Sequence, residues 1–205
     1  MTTESDFISM KAFFKRYSYD VVRMMLNQFA ISMFGFALAM TAVKAESDAL
    51  LLWSSVGAIV FYLVLTYGTA WRMGSGDRLS IQYGKIPNRP ANGLLVSLLA
   101  NAVNFLLAIL LTIGELVGPA LMKTIANAVI LLGEGMYQGI LATVYVGELP
   151  LNKMWWAYFL LPIPALVTAL IGYIAGTKDF HIIKPGTSEY PDSDRPSRKE
   201  LKEQK

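Results

Sequence analysis

The 205-residue chain has no cysteine and a single histidine, His181. Disulfides, thiolate metal sites and thiol catalysis are thereby excluded, and so is a cluster of histidine ligands. Charge is scarce as well: Asp, Glu, Lys and Arg make up 16% of the residues, where soluble domains carry about a quarter. The polar remainder falls into 1–23, 72–92 and 178–205, and none of these is long enough to bury a core of its own. No nucleotide, metal or activated-nucleophile motif stands out, so no catalytic residue and no cofactor is expected. The start, Thr2 to Asp6, is polar and acidic and lacks the pattern of a cleaved leader, so the first apolar run is expected to stay as an anchor.

What is there is apolar. Hydrophobic residues make up 54% of the chain and gather in runs at about 24–43, 49–71, 93–115 and 155–177. A helix needs about 20 residues to cross the roughly 30 Å hydrocarbon core, where only a helix or a closed barrel satisfies its backbone. The expected fold class is therefore an all-α integral membrane protein, a four-helix transmembrane bundle. The residues between 116 and 154 are apolar but interrupted by Lys123, Glu134, Glu148 and Lys153. They are expected to form an external interfacial or re-entrant segment, the alternative being a fifth span that puts the tail outside. A single helix there would hold Glu134 near the bilayer centre, at about 2.5 to 3.5 kcal/mol on insertion scales.

Orientation follows from basic residues beside the spans. Lys11, Lys15, Arg16 and Arg23 precede the first run, and Arg72, Arg78, Lys85 and Arg89 follow the second, whereas the connection 44–48 holds one base and two acids. The chain is expected in the cytoplasmic (plasma) membrane, with its N-terminus, the loop 72–92 and its C-terminus inside. Residues 1–23, with Phe7, Met10, Phe14, Tyr17 and Val21 at spacings of three and four, read as an amphipathic helix lying on the inner leaflet. The tail 178–205 reads as disordered, and its near-balanced charge argues against a nucleic-acid partner. The expected partners are the lipid bilayer and either another membrane protein or further copies of the chain.

Membrane helices pack through small residues. Thr168, Gly172 and Gly176 form one such stripe, and Gly135 with Gly139, Gly35 with Ala39 and Ser54 with Ala58 add others. Pro162 and Pro164 predict a kink in the last span. Ala100-Asn-Ala-Val103 recurs as Ala126-Asn-Ala-Val129, a similarity expected by chance in this composition. Gly74-Ser-Gly-Asp77 lacks the Gly-Lys-Ser/Thr of a phosphate loop, and Pro87 to Pro90 reads as a rigid turn.

Polar residues within the apolar runs carry what chemistry is available. Asn27 and Gln28 lie in the first run. Asn101, Asn104, Glu115 and Glu134 are the candidate polar path, two amides three apart on one helix face and two acids. Arg72, Arg78, Lys85 and Arg89 are the candidate contacts to a lipid headgroup. The span pattern and the ending Leu161-Pro-Ile-Pro164 through Tyr173-Ile-Ala-Gly176-Thr-Lys178 resemble small uncharacterised multi-pass membrane proteins of Gram-positive bacteria, a resemblance that carries over no functional residue. Three functions fit this reading: an accessory or assembly subunit of a membrane complex, which is the expectation; a channel or small-solute transporter working as a homo-oligomer; and a lipid-modifying membrane enzyme.

Overall fold

The computed structural model describes residues 3–116 and 133–180, with side chains from Lys11 onward. The expectations for Lys123, the second Ala-Asn-Ala-Val copy, His181 and the tail beyond 180 fall outside these residues.

The first helix, α1, is Thr3–Lys44, 42 residues without a break. It contains no proline and one glycine, Gly35, so nothing in the sequence interrupts the hydrogen-bond ladder. Residues 3–23, expected as an amphipathic surface segment, are joined without a break to the helix of the first apolar run. Tyr17, Met24, Gln28, Ile31, Gly35, Ala39 and Ala42 are buried along one face of it.

A turn at Ala45–Ser47 reverses the chain, with Glu46 at φ 50°. The Ser47 hydroxyl accepts from the Leu50 N–H at 3.3 Å and caps the next helix. That helix, α2, is Asp48–Gln82, three turns longer than the run 49–71, and the loop expected over 72–92 shrinks to 83–90. Gly84 sets the end, because its φ of 66° lets the Gly84 and Lys85 N–H groups turn back onto the Ile81 and Ser80 carbonyls.

The third run is two helices, α3 (Ala91–Ala100) and α4 (Ala102–Leu116), bent by 52° about Asn101. From 133 to 154 the chain makes a 3₁₀ turn (Gly135–Tyr137), the short helix α5 (Gln138–Thr143), a hairpin pairing Tyr145–Val146 with Leu149–Pro150, and a second 3₁₀ turn. None of these pieces is long enough to span. The final run is α6 (Ala157–Leu160) and α7 (Ile163–Thr177), broken at Leu161–Pro162 as the prolines predict.

The fold is thus mostly helical. Three helical stretches, Lys11–Lys44, Asp48–Gln82 and Ala157–Thr177, are long and apolar enough to cross a membrane, and the bent α3–α4 pair makes a fourth when taken as one span. Large apolar side chains such as Phe29, Phe34, Trp53 and Phe61 face outward.

Helices α2 and α7 pack backbone to backbone. A Cβ at Gly172 would lie 2.8 Å from the Tyr67 carbonyl oxygen, Gly176 meets Trp71 still more closely, and Gly74 receives Tyr173 in return. Thr168 is only half-buried and bonds its own helix at Pro164; Ala165 and Ala169 are the buried residues of that stretch, with the Ala169 carbonyl against Gly93 of α3. The end of α7 is tied to α2 by Trp71, whose indole N–H donates to the Phe180 carbonyl at 2.8 Å, and by the Arg78–Asp179 ion pair. The bundle therefore has two ends, one at the Ala45–Ser47 turn and one at Asp77.

Candidate functional site

Glu134 is the most unusual side chain among the described residues. It is wholly buried, and neither carboxyl oxygen has a hydrogen-bond partner. The following residue, Gly135, lies so close to α1 that a Cβ there would be 2.5 Å from the Ser32 carbonyl oxygen and 2.6 Å from Cβ of Phe36. Ser32 sits midway along the apolar run 24–43, so Glu134 is held at the middle of the bundle. Ser32 Oγ is buried and unpaired as well. Polar atoms buried in folded proteins nearly always find partners; the other described exceptions are the Thr66 and Tyr67 hydroxyls on α2, and Glu134 is the one carboxylic acid among them.

The segment carrying Glu134 is pinned on both sides. Ser55 on α2 donates to the Met136 carbonyl, and the Tyr137 hydroxyl donates to the Leu161 carbonyl at the α6–α7 break, at 3.0 Å. Gly139 packs against Leu51 and Ser55. Both glycines of the expected Gly135–Gly139 stripe are therefore contact points, with α1 and α2 as their partners.

The two asparagines of the candidate path belong together. Asn101 forms the break between α3 and α4: its Nδ2 donates to the Ser97 carbonyl at 2.8 Å, and Asn104 Nδ2 donates to Asn101 Oδ1 at 3.2 Å. The Tyr62 hydroxyl approaches the same oxygen at 3.5 Å. Both amides are buried. Asn104, Gln28 and Gly133 share the wall of a cavity of about 200 Å³ whose other walls are apolar, and this brings Asn104 to the residue that precedes Glu134. Glu115 is exposed at the end of α4, facing the Tyr158 side of the molecule. Glu134 lies toward the same tyrosine.

The four basic headgroup candidates are dispersed. Arg78 pairs with Asp179, Arg72 faces Asp20 on α1, and Lys85 is exposed on the loop. Arg89 instead lines a cleft with Lys15 and Arg16.

A second polar centre, at Asp77, was not anticipated. Asp77 is 3% exposed. Its Oδ1 accepts from the Arg16 guanidinium, with Nε at 2.8 Å, and its Oδ2 accepts from the Tyr17 and Tyr173 hydroxyls at 2.6 and 2.7 Å. Asn92 Nδ2 donates to both tyrosine oxygens, at 3.0 and 3.3 Å. One carboxylate thus joins α1, α2, α3 and α7. A signal for it exists in the sequence: Thr66, Ala70, Met73 and Asp77 recur at helical spacing, so carrying the helix past Trp71 places Asp77 on the buried face.

Among the described residues no group of three or more acids or histidines is arranged to hold a metal ion. The chain matches no known protein family, curated protein or solved structure.

Proposed function

We propose that the chain is an integral membrane protein that moves a small cation, a proton or a small polar solute, with Glu134 as the residue that the moving species meets. One observation carries the reading: a fully buried carboxyl group with both oxygens unpaired, held beside Ser32, midway along the apolar run 24–43. An ionised carboxylate left unpaired in a low-dielectric interior costs several kcal/mol, so such a position is most readily kept where occupation by a positive charge, a proton or a donor offsets the cost. Ionisable groups at membrane depth mark ion and proton paths. Broken helices and short non-spanning segments beside the site are the usual way in which transporters expose backbone to a substrate, and the α3–α4 bend with the Asn101–Asn104 pair has that form.

In this proposal α1, α2, the α3–α4 pair and α6–α7 are four crossings. The Asp77 end, rich in Lys and Arg, faces the cytoplasm with both termini, and the hairpin 145–150 faces outward. The accessory-subunit expectation remains the competing outcome. The test is flux of protons and monovalent cations into liposomes reconstituted with the full chain, against Glu134→Gln and Asn104→Leu. The expected result is flux in the wild type that drops about tenfold or more in Glu134→Gln, the loss of one transition-stabilising charge contact. Wild-type flux equal to that of empty liposomes, together with stoichiometric co-purification of a second membrane protein, overturns it.

A further inference from the structure

At the Asp77 end, an open cleft of about 590 Å³ lies between α1 and the loop 83–90. Three cationic side chains line it: Lys15 and Arg16 from α1 and Arg89 from the loop. Arg16 is neutralised by Asp77. Among the described residues Lys15 and Arg89 make no ion pair and no acid lines the cleft with them, so two positive charges face one space. Phe13, Ile86 and Pro87 supply apolar wall beside the charges, and Tyr17 and Asn92 form the floor.

That floor is rigid. Tyr17 and Asn92 are hydrogen-bonded to each other, and Tyr17 is bonded in turn to Asp77. The cleft is therefore built before any ligand arrives, because the same network fixes α1 against the start of α3. Lys15 and Arg16 precede Met24, where the apolar run begins, by between two and three helical turns, and so stand at the aqueous edge of the bundle. Lysine and arginine converging on an open cleft are the recognition chemistry of phosphate oxygens, and the apolar wall favours a phosphate whose ester carries a carbon chain.

We infer that this cleft binds a phosphate ester, held by Lys15 and Arg89 against the outer edge of Arg16, with its organic part on Phe13, Ile86 and Pro87. Two sources share that chemistry: the headgroup of an anionic phospholipid and a soluble organophosphate. The inference does not depend on Glu134 or on transport, and the two fail separately.

The test uses the purified full chain in a neutral detergent at low salt. The probes are dihexanoyl phosphatidylglycerol, dihexanoyl phosphatidylcholine and glycerol 3-phosphate, and binding is measured by calorimetry. Phosphatidylglycerol is expected to bind at least about tenfold more tightly than phosphatidylcholine, and the Lys15→Gln/Arg89→Gln double variant to lose about tenfold or more of that affinity. Lys85→Gln, on the same loop but off the cleft wall, is expected to bind as the wild type does. Glycerol 3-phosphate binding as tightly as the lipid assigns the site to a soluble ester; binding of the lipid alone assigns it to a headgroup. Equal affinity for the two lipids with no binding of glycerol 3-phosphate, or wild-type binding by a double variant whose melting temperature is unchanged, overturns the inference.

Discussion

Tyr17 and Tyr173, 156 positions apart in the chain, donate to the same oxygen, Oδ2 of Asp77, at 2.6 and 2.7 Å. One helix enters the bundle first and the other leaves it last, and the carboxylate between them closes the fold at that end. A carboxylate that accepts two hydroxyls and a guanidinium is satisfied on both oxygens, which is what makes burying it tolerable.

Asp77→Ala should therefore be among the most destabilising single changes, at about 2 to 4 kcal/mol, because it leaves two buried hydroxyls and a guanidinium without their acceptor. Tyr17→Phe should cost about 1 kcal/mol, one hydrogen bond. Thermal unfolding of the detergent-solubilised protein measures both, and equal melting temperatures for Asp77→Ala and the wild type would show that the network holds nothing together.

The α2–α7 contact makes a different demand. Gly176→Leu has to push Trp71 and Ser75 backbone away, so it should cost about 3 kcal/mol or more. Thr168→Leu, just over two turns earlier and only half-buried, should stay within about 0.5 kcal/mol of the wild type. A scan of melting temperatures across positions 165 to 177 is expected to show minima at Ala165, Ala169, Gly172 and Gly176, and a minimum at Thr168 instead would refute the assigned face.

Glu134 should behave in the opposite sense. Glu134→Met keeps the shape and removes two unpaired oxygens, so the fold is expected to gain about 1 to 3 kcal/mol while flux is lost. A fall in stability would mean that the carboxyl group makes a structural bond, and it would remove the observation on which the transport proposal stands.

Orientation is open to a direct test because the natural chain has no cysteine. Lys85→Cys and Glu148→Cys lie on exposed loops at opposite ends. In intact cells an impermeant maleimide should label Glu148→Cys and leave Lys85→Cys untouched until the membrane is permeabilised; the reverse pattern inverts the proposed topology.

The helical architecture was legible in the sequence because long apolar runs leave few alternatives. The tight turn at 45–47 and the break at Pro162 were visible too, one from a short charged connection and the other from a residue that cannot donate. What escaped was the length of the helices beyond the apolar runs. Residues 72–82 carry charge and four helix-weakening glycines and serines, and composition alone assigned them to a loop, whereas the buried face continues through Met73 and Asp77 without a change of period. The candidate site was half legible. Glu134 stood out as an acid in apolar surroundings, and Asn101 and Asn104 by their spacing. The Asp77 centre did not, because its members come from four helices and no local pattern joins positions 16, 17, 77, 92 and 173. Arg72 and Arg78 separate because positions six apart on a helix point in different directions, and Lys85 and Arg89 because they sit on the loop beyond it.

The unbroken α1 is also a lever. Gly35 seats the Glu134 segment and Arg16 lies on the cleft, 19 residues apart, or about 28 Å along one stiff rod. A tilt of about 5° around the Gly35 contact swings Arg16 by about 2.5 Å, nearly the length of its 2.8 Å bond to Asp77. With no hinge between them, the two sites share a single mechanical coordinate, and the Asp77 clasp sets where that coordinate rests.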